Sequence, residues 1–223
     1  KIAKKYNLIV IEDAAQAMGA YYKNKHAGNF GKISAFSLHP YKNLSGLGDG
    51  GFIVTNQKNL YDKIKIYRNH GINGYNNIEF SGVNSRLDAL HAAVVNLRLK
   101  KLSSNINYKR RNVSLYKKLI TTKDVKIIEE KKYERNAYSI FTILCKNRDK
   151  LQKYLKKYNI ETAIYYRTPL HLYKVTKYFG YKKKDLPNID NLSNKFLSLP
   201  IHKNLTLKDI KYVCNKINKF YKA

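Results

Sequence analysis

The chain has 223 residues, 43% of them hydrophobic, enough to bury a sizeable core in one or two domains. No apolar run reaches the length of a membrane span and no signal-peptide pattern is present. Cys145 and Cys214 lack any CxxC spacing, which excludes a disulfide framework and a zinc site and fits buried thiols in a reducing cytoplasm.

The 44 Lys+Arg against 15 Asp+Glu leave a formal net charge of +29, which raises the question of a nucleic-acid partner. The lysines are scattered through nearly every segment, arginine is scarce, and Lys, Asn, Ile and Tyr are frequent together. That distribution favours a solvated basic surface over a dedicated nucleic-acid face. The same charge suits an anionic small-molecule substrate.

In chain order, Lys1 to Asn7 resembles the tail of an amphipathic helix running straight into an apolar strand, Leu8 to Ile11. A parallel α/β sheet beginning there lacks earlier strands, so the sequence reads as a fragment or partial gene product. The strand reads as buried and presents Glu12 and Asp13 at its end. A second strand, Ile33 to Leu38, delivers Ser37, His39 and Lys42 to the same edge. Gly51 to Thr55 reads as a third strand and Lys58 to Tyr67 as a helix. Leu87, Leu90, Ala93, Val94, Leu97 and Leu102 recur at helical spacing towards Leu119, predicting one long helix or a bent pair. After Thr121 the texture changes. Val125–Ile128 and Tyr138–Leu144 read as strands, Arg148–Tyr158 as a helix, Thr162–Tyr166 as a strand and Leu207–Tyr221 as a closing helix. The expected division is residues 1–101 as the C-terminal part of a large domain, and 102–223 as a linking helix with a small α+β domain.

An acid and a lysine at the carboxyl ends of neighbouring strands suggest a pyridoxal 5′-phosphate site. In such a site the lysine forms a Schiff base and the acid pairs with the pyridinium nitrogen. Asp13 reads equally well as a helix cap for Ala14–Ala17. Ala15 is small enough to let a flat ring lie against the backbone, and Gln16 is placed to meet a ring hydroxyl. Lys42 differs from the many solvated lysines because it sits between Pro40 and a glycine-rich loop, where desolvation frees an amine for attack. Ser37 is a candidate phosphate ligand, whereas His39 is as readily a packed loop residue. Gly46, Gly48 and Gly51 match the dinucleotide fingerprint formally, but the strand-like FIVTN follows where a helix is required, so a nicotinamide or flavin site is rejected. Asn84 and Arg86 stand just before the long helix, where Asn84 or Ser85 as a cap explains the spacing without any ligand.

Taken in order, VIEDAAQAMGA, the GNFGKISAFSLHPYKNL stretch, GDGGFIVTN, RNHGI and GVNSRLDALHAA resemble the DegT/StrS family of pyridoxal-phosphate-dependent nucleotide-sugar aminotransferases. TPLHL and LSLPIHKNLT resemble its small domain. The resemblance implies an α/β chain of transferase fold type I: a partial large domain with a mostly parallel sheet and a small C-terminal α+β domain. It further implies a homodimer with shared active sites. By the family pattern Lys42 holds the cofactor and transfers protons, Asp13 pairs with the ring nitrogen, Ala15 lies against the ring, and Gln16 touches the ring hydroxyl. Ser37 binds the phosphate, and Asn84 reaches the phosphate of the partner copy's cofactor. No metal is implied. Relatives with histidine in place of the lysine act as deoxysugar dehydratases, so Lys42 favours amination. KNL followed by GDGG leans towards a 3-keto sugar, and YYRTPLHL departs from the expected pattern by lacking a proline nearer its tyrosines. The implied reaction moves an amino group from an amino acid, glutamate by expectation, onto a nucleoside-diphosphate-linked keto sugar for polysaccharide or related synthesis. The alternatives are a non-catalytic cofactor-binding fragment or regulator, and a basic nucleic-acid-binding protein.

Overall fold

A computed structural model of the chain describes residues 1–75 and 77–222, which form two units. The first holds Lys1–Ile106 together with Glu130–Ser139. After a short helix α1 (Ile2–Lys5) come β1 (Ile11–Asp13), a hairpin of β2 (Tyr21–Tyr22) and β3 (Lys25–His26), then β4 (Ile33–Ser37) and β5 (Gly51–Val54). Helices α2 (Lys58–Tyr67), α3 (Ala89–Leu99) and α4 (Leu102–Leu119) follow.

β4 is the centre of this unit's main sheet. β1 runs parallel to it, with Ile11 opposite Ile33 and Asp13 opposite Ala35. β5 runs antiparallel on the other side, with Ala35 opposite Ile53 and Ser37 opposite Gly51. Alternation along β4 buries Ser34 and Phe36 and leaves Ala35 exposed. The ring of Phe36 stacks on that of Phe52 at 4.9 Å between centroids. A second cluster of Leu38, Leu44, Val95, Leu102, Ile106 and Ala137 packs the segment after β4 against the start of the helices. In this chain the sheet therefore has one parallel and one antiparallel pair.

Several elements differ from their sequence-based expectation. The run Leu8–Ile11 is exposed: Leu8 59%, Ile9 67% and Ile11 70%. Regular pairing starts only at Ile11, where β4 supplies a partner, and among the described residues nothing covers the run. Of the two alternatives for the long helical pattern, the structure has the pair, two helices broken at Lys100 and Lys101. The N-cap of the first of these helices is Asp88, and neither Asn84 nor Ser85, because the helix begins only at Ala89. The hairpin was illegible because its strands are two residues long. Its two-residue turn, Lys23–Asn24, has φ of 48° and 61°, the left-handed values a type I′ hairpin turn requires. A third short strand, β7 (Glu134–Arg135), pairs with β2 in this unit.

The second unit holds residues 107–129 and the chain from Ile140 onward. Its sheet has the order β6 (Val125–Ile127), β8 (Phe141–Cys145) and β9 (Phe196–Leu199), all antiparallel. The helices are α5 (Arg148–Lys157), a short α6 (Pro187–Leu192) and α7 (Leu207–Phe220). β8 is buried at alternate residues, and α7 buries Ile210, Val213, Cys214 and Ile217 at helical spacing. Thr162–Tyr166 is not a strand. Only Ala163 bridges, to Ser198, and the chain turns away at once. β9 was missed because its FLSL run follows a proline-punctuated loop. Burial pushes the Cys145 and Cys214 thiols up to about 11 and about 12, which makes both poor nucleophiles.

Ile143 is fully buried at the middle of the second unit's sheet, so Ile143→Ala is expected to cost about 2–5 kcal/mol of unfolding free energy. Thr206 caps α7 reciprocally with Asp209, so Thr206→Ala is expected to cost about 1 kcal/mol. Urea unfolding followed by circular dichroism checks both, and the order of the two effects is the sharper test.

Candidate active site

Two consecutive carboxylates end β1, and alternation sends them to opposite faces. Glu12 points to the core side and is saturated. Its carboxylate accepts from the backbone N–H groups of Gly28 (2.8 Å), Phe30 (2.5 Å) and Gly31 (2.6 Å), and from the Ser34 hydroxyl (3.0 Å). Burial raises its proton affinity, but the donors from Gly28, Gly31, Phe30 and Ser34 together outweigh this and hold the carboxyl below its ordinary value.

Asp13 is exposed on the opposite face, beside the small side chain of Ala35. Its Oδ1 accepts from the N–H of Ala15 at 3.0 Å, and Oδ2 has no partner among the described residues. The segment after it closes as a turn, with the Ala17 N–H donating to the Ala14 carbonyl, so no helix starts at Ala14. Gln16 is exposed on that turn and Ala15 is half-buried.

Ser37 ends β4 on the same face as Ala35, and its Oγ accepts from the His39 N–H at 3.2 Å. That leaves the hydroxyl proton free to donate. Beyond it, the segment carrying Lys42 has no regular structure, and side chains hold it in place. Asn43 donates Nδ2 to the Met18 and Ala137 carbonyls (3.3 and 2.9 Å). Arg98 on α3 donates Nη1 to the carbonyls of Ser45 (3.0 Å) and Gly46 (2.7 Å) and to the Ser45 hydroxyl. His91, also on α3, accepts from the Leu47 N–H at 3.1 Å. A Cβ at position 46 would lie 1.6 Å from His91 Nε2, so only glycine permits this approach. Lys42 itself is half-buried, and its amine makes no hydrogen bond or ion pair among the described residues. His39 sits with Nε2 3.9 Å from Asp49.

Asn84 belongs to a different segment. It bridges to Asn69 after α2, and its Oδ1 accepts from Arg86 Nε at 3.0 Å. Ser85 and Arg86 line a cleft of about 820 Å³ with Ala35, Gly51 and Ile53 of the sheet and Tyr61, Ile64, Lys65 and Arg68 of α2. Glu12, Asn43, His91 and Arg98 are the positioning residues the sequence pattern did not reveal. Each is a single polar side chain bonded to backbone far away in sequence, and no periodicity marks such a contact.

These residues fit a flat, anionic, aldehyde-bearing cofactor. A carboxylate oxygen without a partner, an amine without a partner, a hydroxyl free to donate and small side chains beside them are what pyridoxal phosphate requires. No group of three or more His, Cys, Asp or Glu side chains suited to a metal occurs among the described residues.

The fold and this site define a pyridoxal-phosphate-dependent chain of fold type I. Residues 1–218 match the DegT/DnrJ/EryC1/StrS aminotransferase family, and the chain belongs to it. It is 37% identical over 99% of its length to a pleiotropic regulatory protein of Geobacillus stearothermophilus, covering 60% of that protein. It is 36% identical over 98% of its length to the dTDP-3-amino-3,6-dideoxy-alpha-D-galactopyranose transaminase of Aneurinibacillus thermoaerophilus, again covering 60%. Among solved structures, a DegT/DnrJ/EryC1/StrS aminotransferase from Brucella abortus superposes with a TM-score of 0.94 at 33% identity, covering all of this chain and 60% of the other. The chain thus spans about three-fifths of the length of these relatives.

Because the folded Glu12 carboxyl is held low, its contribution to stability is present above its ordinary value of 4.5 and lost as pH falls through the folded value. The denaturation midpoint is expected to drop on acidification below that value. Glu12→Gln is expected to lower the midpoint at neutral pH and to flatten the acid drop. Urea midpoints of both proteins from pH 3 to 7 check it.

Proposed function

We propose that the protein of which this chain is part transfers an amino group from an amino acid, glutamate by preference, to a nucleoside-diphosphate-linked keto sugar, with the 3-keto position favoured. The observation that supports it most is the placement of Asp13 and the Lys42 segment at the carboxyl ends of neighbouring parallel strands, with the Lys42 amine unpartnered among the described residues. The relative from Aneurinibacillus thermoaerophilus is named for a 3-amino sugar, which supports the ring position. The product serves polysaccharide or similar glycoside synthesis in the cytoplasm. No helix among the described residues is long and apolar enough to cross a membrane.

When bound, pyridoxal phosphate supplies an electron sink that makes the proton on the amine-bearing carbon acidic. In this reading Lys42 Nζ would hold the cofactor, and its amine would take a proton from the amine-bearing carbon and return it at the neighbouring position. Asp13 would pair with the ring nitrogen and keep it protonated. The Ala15 N–H on Oδ1 fixes the carboxylate's orientation. Gln16 would meet the ring hydroxyl, Ala15 would leave room for the ring, and the Ser37 hydroxyl would donate to the phosphate. Asn84 serves the site of a second copy, so the assembly is a homodimer with shared sites. Residues 1–101 act as part of the large domain and 102–223 as the linking helix and small domain. The basic surface attracts the anionic sugar nucleotide and needs no nucleic acid.

A second reading is a cofactor-binding regulator without turnover, supported by the name of the Geobacillus stearothermophilus relative. The two separate by experiment on the full-length protein. The aminotransferase reading expects a visible cofactor absorbance that glutamate bleaches and a keto-sugar nucleotide restores. Lys42→Ala is expected to abolish the protein-linked band and to lower turnover by about 10²–10⁴-fold or more. A band that glutamate leaves unchanged in the wild-type protein rejects the aminotransferase in favour of the regulator.

A further inference from the structure

The motif RNHGI, residues 68–72, follows directly on α2 and carries none of the candidate cofactor residues. The chain reverses there. His70 and Gly71 have φ of 60° and 76°, and residues 78–85 return antiparallel beside residues 67–72, with Ile72 bridged to Ile78 and Asn69 to Asn84. Around these bridges the Val83 N–H donates to the Tyr67 carbonyl (2.8 Å), the His70 N–H to the Val83 carbonyl (3.0 Å), the Ser85 N–H to the Arg68 carbonyl (2.8 Å) and the Glu79 N–H to the Gly71 carbonyl (2.9 Å). The Tyr67 ring stacks on that of Phe80 at 6.4 Å between centroids. Two glycines allow so close an approach. A Cβ on Gly71 would lie 1.7 Å from the Phe80 carbonyl oxygen, and one on Gly82 would lie 2.1 Å from the Gly71 nitrogen and 2.6 Å from the Tyr67 carbonyl oxygen. Every one of these obstacles is backbone, which cannot swing aside as a side chain can.

We propose that this glycine-locked crossing is the device that positions Asn84, so that Gly71 and Gly82 are positioning residues for the cofactor phosphate in a second copy of the chain. The inference rests on the reading of Asn84 given above as a ligand to the partner copy's cofactor. Asn84 sits in no helix or strand, and its backbone is pinned on both sides by the Val83 and Ser85 N–H groups. Its Oδ1 accepts from Arg86 Nε at 3.0 Å, so Nδ2 is the atom turned to donating, as an anionic phosphate requires. A methyl group at either glycine has to push the returning segment away from the end of α2, and Asn84 moves with it. A hydrogen bond to a charged group is lost on such a displacement because it weakens steeply with distance and angle. Asp13, Ser37 and Lys42 lie outside the crossing, so the loss falls on the phosphate contact.

The test uses the full-length protein and compares the dissociation constants of pyridoxal 5′-phosphate and of pyridoxal, which lacks the phosphate. Gly71→Ala and Gly82→Ala are each expected to weaken the phosphorylated ligand by about tenfold or more, the scale of one lost hydrogen bond to a charged group, and to leave pyridoxal binding unchanged. Asn84→Ala is expected to match them. Gly74→Ala, between the two segments at φ +72° with nothing within 4 Å of its Cβ, is expected to leave both constants unchanged. Mixed dimers of Gly82→Ala and Lys42→Ala copies are expected to recover one tight phosphate site, because the Lys42→Ala copy lends an undisplaced Asn84 to the other. Circular dichroism verifies folding. In the wild-type protein the His70, Val83 and Ser85 amides are expected to exchange at least about tenfold more slowly than that of the exposed Tyr75, which decides the question if the glycine variants misfold. The proposal alone is overturned if Asn84→Ala loses the phosphate preference while both glycine variants keep it, or if they weaken both ligands equally. It is equally overturned if the mixed dimers recover nothing or the three amides exchange as fast as Tyr75. An Asn84→Ala protein that binds both ligands like the wild type overturns the underlying reading of Asn84, and this proposal with it.

Discussion

The geometry of the site depends on the saturation of one carboxylate. Glu12 gathers four donors from Gly28, Phe30, Gly31 and Ser34, and this fixes both the register of β1 on β4 and which face of the strand looks inward. A slip of one residue would turn Glu12 outward and bury Asp13, stranding three backbone donors. Gly28 makes the arrangement possible. Its φ is +95°, and a Cβ there would lie 2.7 Å from the Phe36 ring. The donor loop can therefore close over the carboxylate only with glycine at that turn. Asp13 is placed by its neighbour's hydrogen bonds more than by its own.

Lys42 is positioned by a different device. No strand or helix carries it, so its place comes from polar side chains that grip the surrounding backbone from separate directions. His91 and Arg98 lie two turns apart on α3 and hold Ser45, Gly46 and Leu47, while Asn43 ties the loop to Met18 and Ala137. These contacts use the hydrogen-bonding capacity of the loop backbone and leave the lysine amine alone. Under the proposed function, an amine that holds a cofactor has to be kept in place by its surroundings without being neutralised by them.

How much of this was legible in the sequence follows from the range of each signal. Strands β4 and β5, α2, α5 and α7 carry their own periodicity, and α2 falls on the residues the pattern predicts. The ordered motifs around Asp13 and Lys42 were legible because several short pieces agree on one family. The hairpin of β2 and β3 was not, since two-residue strands have no period, and Lys-Asn is a weak turn signal beside Asn-Gly. Thr162–Tyr166 has strand composition, but its chain finds a partner only at Ala163. The apolar run Leu8–Ile11 reads as a buried strand, whereas the strand begins only at Ile11 and the run is exposed. Composition reports what a segment is suited to pack against, whereas exposure depends on what is there to pack.

That last difference connects the two halves of the structure's behaviour. Within one short stretch, Leu8 to Asp13, three kinds of capacity are visible. Glu12 has its hydrogen-bonding capacity filled, Asp13 has one oxygen unfilled, and Leu8 to Ile11 have their apolar capacity unfilled. An unfilled polar atom next to a small side chain calls for a small polar ligand, because water already satisfies it at little cost and a ligand has only to improve on water. Filled and unfilled capacity therefore meet within one short stretch, and the residue that separates them is the saturated Glu12.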